Sequence, residues 1–356
     1  RSAAPSPRGG GAIWRKWLLL FPFLLVSCSP EKSIRDDWDL FRKADPFFSA
    51  FIQPDGKLLW RLKSGRYDAE ELLSKAPEGA QGQGGVAAGA ALEINSRGFR
   101  GKEVGAKKGF RVLCLGDSVT FGYARPYPEI LEAGLRVRLP GEETQVINAG
   151  VPGYSIRQLS VWFEEELEKL NPDAVVLLTG WNDAKDYVRG YTDGELLSSR
   201  WARMLAHFRH PPAPNRSLDP LSRRAGCCRV PPEDFEKTLA HLVAQVKGSG
   251  AALYAASYPS LFDFPGEQGG IPPELAASRK KRLEALAGIL QKAAEREKFA
   301  YVPLAEEVRQ GASRSYFANP ADDPVHPSED GAAFIARLIE ERVAAAALSR
   351  KGAEDH

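Results

Sequence analysis

Five short apolar runs, each long enough for one strand and each followed by a stretch of helical periodicity, constrain this chain more than any other feature. They are Arg111 to Leu115, Gln145 to Asn148, Asp173 to Leu178, Ala251 to Ala256 and Phe299 to Val302. Their apolar residues are consecutive rather than alternating, so both faces of each strand must be covered, as in a parallel sheet. Helical patterns follow at Pro128 to Leu139, Ile156 to Leu170, Pro232 to Lys247, Pro273 to Lys298 and Ser328 to Leu348. Strand and helix alternating in this way predict an α/β domain with helices on both faces of the sheet.

In such a sheet a ligand lies beyond the carboxyl ends of the strands, so the residues after each run carry the most information. The first run ends in Gly116-Asp117-Ser118-Val119-Thr120-Phe121-Gly122. A serine in that strand-to-helix turn can attack a substrate and offer its N–H to an oxyanion, and it can equally be a helix N-cap. Thr120 stands where the Gly-x-Ser-x-Gly elbow would need its second glycine, which disfavours the common α/β-hydrolase fold. The second run leads to Asn148-Ala-Gly-Val-Pro-Gly153, where glycine lets backbone approach a ligand or simply makes a turn. The third leads to Gly180-Trp181-Asn182-Asp183, where the Asn182 amide could donate to developing negative charge or cap a helix. Near the C-terminus, Asp323-Pro-Val-His326 puts a carboxylate three residues before an imidazole, a spacing that lets one hold the tautomer of the other.

Taken together and in this order, these segments resemble the blocks of the GDSL/SGNH hydrolases. The resemblance covers roughly Ile94 to Leu348 and includes Ile94-Asn-Ser-Arg-Gly-Phe-Arg-Gly101, similar to the lead-in of many bacterial members. It implies a flavodoxin-like three-layer α/β/α sandwich with a parallel sheet, the SGNH hydrolase fold. It also implies a serine esterase or deacylase with a Ser118, His326 and Asp323 triad and an oxyanion hole from the Ser118 and Gly153 N–H groups and the Asn182 amide. Such chemistry needs no metal or organic cofactor. The expected substrate is a small-molecule or glycan ester. The alternatives are an O-acyltransferase on a cell-envelope glycan, using the same residues, and a non-catalytic carbohydrate-binding lipoprotein.

The remaining sequence bears on location and specificity. Arg8, Arg15 and Lys16 precede an apolar run from Trp17 to Val26, the layout of a secretory signal peptide. Leu25-Val-Ser-Cys28 resembles the bacterial lipobox, which implies cleavage before Cys28, lipidation of its sulfur and anchoring in the bacterial cell envelope. The competing reading is an uncleaved anchor, although the run falls short of the ~20 residues that cross a bilayer. Residues 1–28 are thus read as signal peptide, 29–93 as an N-terminal extension, helical or mixed, with a Gly-rich linker, 94–348 as the hydrolase domain and 349–356 as a polar tail.

Within the domain, about 184–230 is an insertion rich in Arg that lacks periodicity, read as one wall of the entrance favouring acidic or polar esters or as a solvated loop. A net charge of +2 gives no global pull toward nucleic acid. No phosphate-cradling or dinucleotide motif is present, and His207 with His210 lacks a third metal ligand at a convincing spacing. Adjacent Cys227 and Cys228 are either a vicinal disulfide or two loop thiols.

Overall fold

The computed structural model describes residues 50–68, 71–72, 91–186, 192–198, 228–311 and 314–354. The leader with Cys28, the Gly-rich linker and most of the insertion, including His207, His210 and Cys227, lie outside these residues. Among the described residues, no helix is long and apolar enough to cross a membrane.

Two antiparallel ribbons come first: β1 (Ile52–Asp55) with β2 (Leu59–Leu62), and β3 (Gly65–Asp68) with β4 (Ala91–Ile94). There follow β5 (Arg111–Gly116), α1 (Ser118–Phe121), α2 (Tyr127–Arg138), β6 (Gln145–Gly150), α3 (Ile156–Trp162) and β7 (Ala174–Leu178). The rest is α4 (Asp193–Leu197), α5 (Pro232–Gly248), β8 (Ala252–Ala256), α6 (Pro273–Glu297), β9 (Ala300–Val302), α7 (Leu304–Gly311) and α8 (Glu329–Glu354). Five strands form one parallel sheet in the order β6-β5-β7-β8-β9.

Numbered within the sheet, that order is 2-1-3-4-5, the flavodoxin-like arrangement, whose switch point lies between its first and third strands, here β5 and β7. Every residue of β5 and β7 is buried, as their unbroken apolar runs require. α2 packs against α8, while α5 packs against both α3 and α6, giving the two helical layers of an α/β/α sandwich. Proline in the first turn starts α2, α5 and α6, where its missing N–H costs no hydrogen bond.

Two features beside the sheet shape the site. The helix expected over 156–170 is α-helical only to Trp162; a wider turn over Phe163–Leu167 and a tight one over Glu168–Leu170 follow, closed by Asn171 in the left-handed region. The N-terminal extension, where described, is largely strand, and it packs into the body. Phe51 stacks on Phe121 with centroids 5.6 Å apart, and Gln158 Nε2 donates to the Leu58 carbonyl at 2.8 Å. Trp60 Nε1 donates to the Pro152 carbonyl at 3.0 Å, and Tyr154 Oη donates to the Trp60 carbonyl at 2.5 Å. The first hairpin therefore braces the loop between β6 and α3.

Candidate active site

Ser118 opens α1 directly beyond the carboxyl end of β5. Asp117 caps that short helix by accepting from the Val119 N–H at 3.0 Å. Close approach of α1 to the sheet requires small residues beneath it: a Cβ on Gly116 would collide with Thr120 Oγ1, and one on Gly150 with the Phe121 backbone nitrogen. The glycines at the ends of β5 and β6 thus seat the serine, and its side chain is left slightly exposed at the surface of a buried turn.

His326 reaches the same point from the loop before α8, 208 residues later in sequence. Its Nε2 lies 2.8 Å from Ser118 Oγ and its Nδ1 lies 2.6 Å from Asp323 Oδ2. The other carboxylate oxygen of Asp323 accepts from the Val325 and His326 N–H groups at 3.0 and 3.2 Å, which locks the loop that carries both residues. Outside contacts hold this loop: Ala318 N–H donates to the His326 carbonyl, and Leu261 N–H donates to the Pro324 carbonyl. Tyr123 packs edge-on against the imidazole at 5.5 Å. Burial pushes the Asp323 carboxyl up, but the imidazole and the two backbone N–H groups outweigh it and hold the group below the usual carboxylate range. An ionised, buried carboxylate beside Nδ1 favours the tautomer with its proton on Nδ1, which leaves Nε2 as the acceptor facing the hydroxyl.

Gly153 sits on the loop after β6 with φ of +83°, a region a side chain would strain, and a Cβ there would stand 3.1 Å from Trp60 Cζ2. Neither the Ser118 nor the Gly153 N–H has an intramolecular acceptor among the described residues. Asn182 follows β7, and its Nδ2 donates to Asp117 Oδ2 at 2.8 Å and to the Tyr154 carbonyl at 3.1 Å. Its side chain therefore ties the three strand ends together and caps no helix.

Sequence reasoning missed several residues of this network. Tyr258, after β8, donates its hydroxyl to both oxygens of Asp117 at 2.9 and 3.1 Å. Asp117 is fully buried with no cation at ion-pair distance among the described residues, and burial raises its carboxyl despite these donors. Asp183 accepts from the Ile156 N–H at 2.9 Å and from Thr179 Oγ1 at 2.8 Å, and burial pushes it up to about 7. Arg229 corrects the reading of the insertion's arginines as available to substrate: it is buried, with Nη2 2.7 Å from Asp193 Oδ2 and Nη1 donating to the Gly153 carbonyl at 2.8 Å. No sequence signal marks Tyr258, because it joins elements distant in the chain, whereas Asp183 stands in the same Gly180-Trp-Asn-Asp183 segment as Asn182. Among the described residues no cluster of His, Cys, Asp and Glu could hold a metal ion.

The Ser118 turn, the glycine loop, the Asn182 segment and the Asp323–His326 loop thus meet at one end of the sheet. The model of the GDSL-like lipase/acylhydrolase family matches residues 114–334, more than half of the chain and all four segments. This chain belongs to that family. The GDSL-like acylhydrolase described here is accordingly a hydrolase acting on ester bonds. No curated protein matches it.

Similar solved structures include an α/β hydrolase from the metagenome of Lake Arreo, Spain, at 20% identity over 65% of this chain and 93% of that one, with a TM-score of 0.44. The lipase/acylhydrolase from Enterococcus faecalis is similar at 16% identity over 66% and 96%, TM-score 0.45. A catalytic mutant of the acetylxylan esterase Axe2 from Geobacillus stearothermophilus is similar at 18% identity over 65% and 92%, TM-score 0.43.

Proposed function

We propose that this acylhydrolase cleaves O-acyl esters by a serine mechanism, carried by Ser118, His326 and Asp323. The observation behind it is the continuous relay of 2.8 Å from Ser118 Oγ to Nε2 and 2.6 Å from Nδ1 to Asp323. His326 takes the hydroxyl proton as Oγ bonds to the acyl carbon, and the carbonyl electron pair moves onto oxygen. Collapse of the tetrahedral species breaks the bond to the alcohol, which leaves with the proton from His326. Water, deprotonated by the same imidazole, then releases the acid and regenerates the serine. Asp323 orients the imidazole and stabilises its cation without taking the proton.

The oxyanion would be held by the Ser118 and Gly153 N–H groups and by the Asn182 amide. The last assignment requires one Asn182 N–H to be shared between the oxyanion and its resting acceptors, Asp117 and the Tyr154 carbonyl. A shallow recess beside Ser118 and His326 is lined by Gly122, Tyr123, Pro126, Tyr127 and Pro327. We further propose that the enzyme is exported and anchored by lipid on Cys28, a reading supported by the Leu25-Val-Ser-Cys28 sequence. An unmodified Cys28 in the intact mass of membrane-extracted protein would sink the anchoring.

The test of the catalytic reading is hydrolysis of p-nitrophenyl acetate together with labelling by a fluorophosphonate probe. Wild-type protein should do both and Ser118→Ala neither. A wild-type protein that is folded but neither turns over nor labels would overturn it.

A further inference from the structure

Beside the relay lies a group of cations that the proposed mechanism does not use. Trp181, immediately before Asn182, has Lys185 Nζ 5.9 Å and Arg279 Cζ 5.4 Å from its ring centroid. Arg279 comes from α6 and is only 9% exposed, yet its Nε has no hydrogen-bond partner among the described residues. Neither Lys185 nor Arg279 has an ion-pair partner among the described residues. Arg282, one turn along α6, is satisfied by Asp186 Oδ1 at 2.8 Å and by the Ala184 carbonyl at 2.9 Å. Three cations therefore share one carboxylate, and that carboxylate is spent on Arg282. The nearby Asp117 and Asp323 are likewise committed, to Tyr258 with Asn182 and to His326. Arg229 is neutralised by Asp193.

Two half-desolvated cations on one aromatic ring are an unstable arrangement without an anion. Each gains about 2 kcal/mol from the buried ring, less than the desolvation of a buried unpaired charge costs. The strain is visible at Lys185, whose ammonium is pushed down to about 8 by burial first and then by Arg279 and Arg229. The position is also tied to the catalytic end of the molecule. Trp181 packs against Phe262 with centroids 5.7 Å apart, and the turn Leu261–Asp263 that carries Phe262 donates its first N–H to Pro324, between Asp323 and His326.

We propose that Lys185 and Arg279, gathered on the Trp181 ring beside the Ser118–His326–Asp323 relay, form a subsite for a carboxylate on the alcohol part of the ester, so that the preferred substrates are esters whose alcohol part is anionic. The proposal rests on the esterase reading above and names its substrate class. The guanidinium offers a planar fork to the carboxylate and the ammonium a point charge.

The experiment compares O-acetylated methyl glucuronoside with O-acetylated methyl glucoside, which differ by the carboxylate alone. Wild-type protein should show a kcat/KM at least tenfold higher for the acidic ester, residing in KM and shrinking as salt is raised. Lys185→Gln should cut that preference about tenfold, the worth of one charge-assisted hydrogen bond. Lys185→Arg should retain it. Arg279→Gln is expected to act likewise, and Lys185 carries the test alone if that buried variant fails to fold.

Calorimetric binding of both esters to Ser118→Ala separates this inference from the catalytic reading. Preferential binding of the acidic ester supports the subsite even where wild-type protein turns over neither substrate. Wild-type turnover of both esters within twofold of each other, unchanged by Lys185→Gln and with equal binding to Ser118→Ala, would overturn the subsite and leave the esterase reading standing.

Discussion

Tyr258→Phe removes one oxygen atom and tests whether the buried Asp117 carboxylate organises the site. In the folded protein Asp117 has three side-chain or backbone donors, Val119 N–H, Asn182 Nδ2 and Tyr258 Oη, and no cation at ion-pair distance among the described residues. The hydroxyl straddles both carboxylate oxygens, so its loss leaves Oδ1 with the Val119 N–H alone and Oδ2 with the Asn182 amide alone. A hydrogen bond to a charged group contributes roughly 1.5–3 kcal/mol, and one to a neutral group about 1 kcal/mol. Where Asp117 is ionised, the variant should therefore lose roughly 1.5–3 kcal/mol, or about 3–12 °C of melting temperature for a domain of this size.

The loss should depend on pH, and its sign follows from the direction of the Asp117 shift. Its carboxyl is raised in the folded protein, so its contribution to stability is present below the unfolded value and is lost as pH rises through the folded one. Losing a donor to the charged form raises the folded value further, widens that window and enlarges the deficit with rising pH. Where the carboxyl is protonated in the folded state of both proteins, the variant should lose only about 1 kcal/mol. Urea unfolding of both proteins over a pH series measures the two deficits. Equal deficits across the series, or less than about 0.5 kcal/mol at its alkaline end, would refute the charged-acceptor argument. A cycle with Asp117→Asn would confirm it by a coupling of more than about 0.5 kcal/mol.

Other consequences can be checked in the same way. Asn182→Ala should lower kcat by about 10²–10³ with little change in KM, because an oxyanion donor matters only in the transition state; near-normal turnover of folded variant would remove Asn182 from the oxyanion hole. Asp183, pushed up to about 7 by burial, should make wild-type stability fall between the ordinary carboxylate value and pH 7, by on the order of 4 kcal/mol. Asp183→Asn should flatten that fall in denaturant titrations, and parallel pH profiles of the two proteins would contradict it. Arg229→Gln leaves Asp193 buried and unpaired and should cost about 3–5 kcal/mol in urea unfolding, part of it recovered when Asp193→Asn is added.

The strand edges and helix starts of the catalytic domain were legible because each is set locally. Unbroken apolar runs predict β5 and β7 to within a residue, and prolines mark the first turns of α5 and α6. The break after Trp162 and the short helix α7 were not legible, since their residues have ordinary helical or loop composition. Ser118, Gly153, Asn182, Asp323 and His326 could be singled out because each follows an apolar run or sits in a short loop with its partner nearby. Even so, sequence could not say which groups the Asn182 amide meets in the folded protein. That depended on Asp117 and Tyr154 being brought against its amide.

What the sequence alone determined was therefore the α/β alternation, the family resemblance and the positions at the strand ends, all readable within windows of a few residues. Tertiary structure decided the sheet order and, with it, which strand ends meet. It brought His326 to Ser118 across 208 residues, turned Tyr258 onto Asp117 and placed Arg229 inside, where it supports the Gly153 loop. It also set Lys185 and Arg279 on one indole ring, although nothing in either local segment suggests the other. The physical reason is one of range. Periodicity and capping act between neighbours in the chain, whereas burial of charge and convergence of polar groups depend on which distant segments share the core.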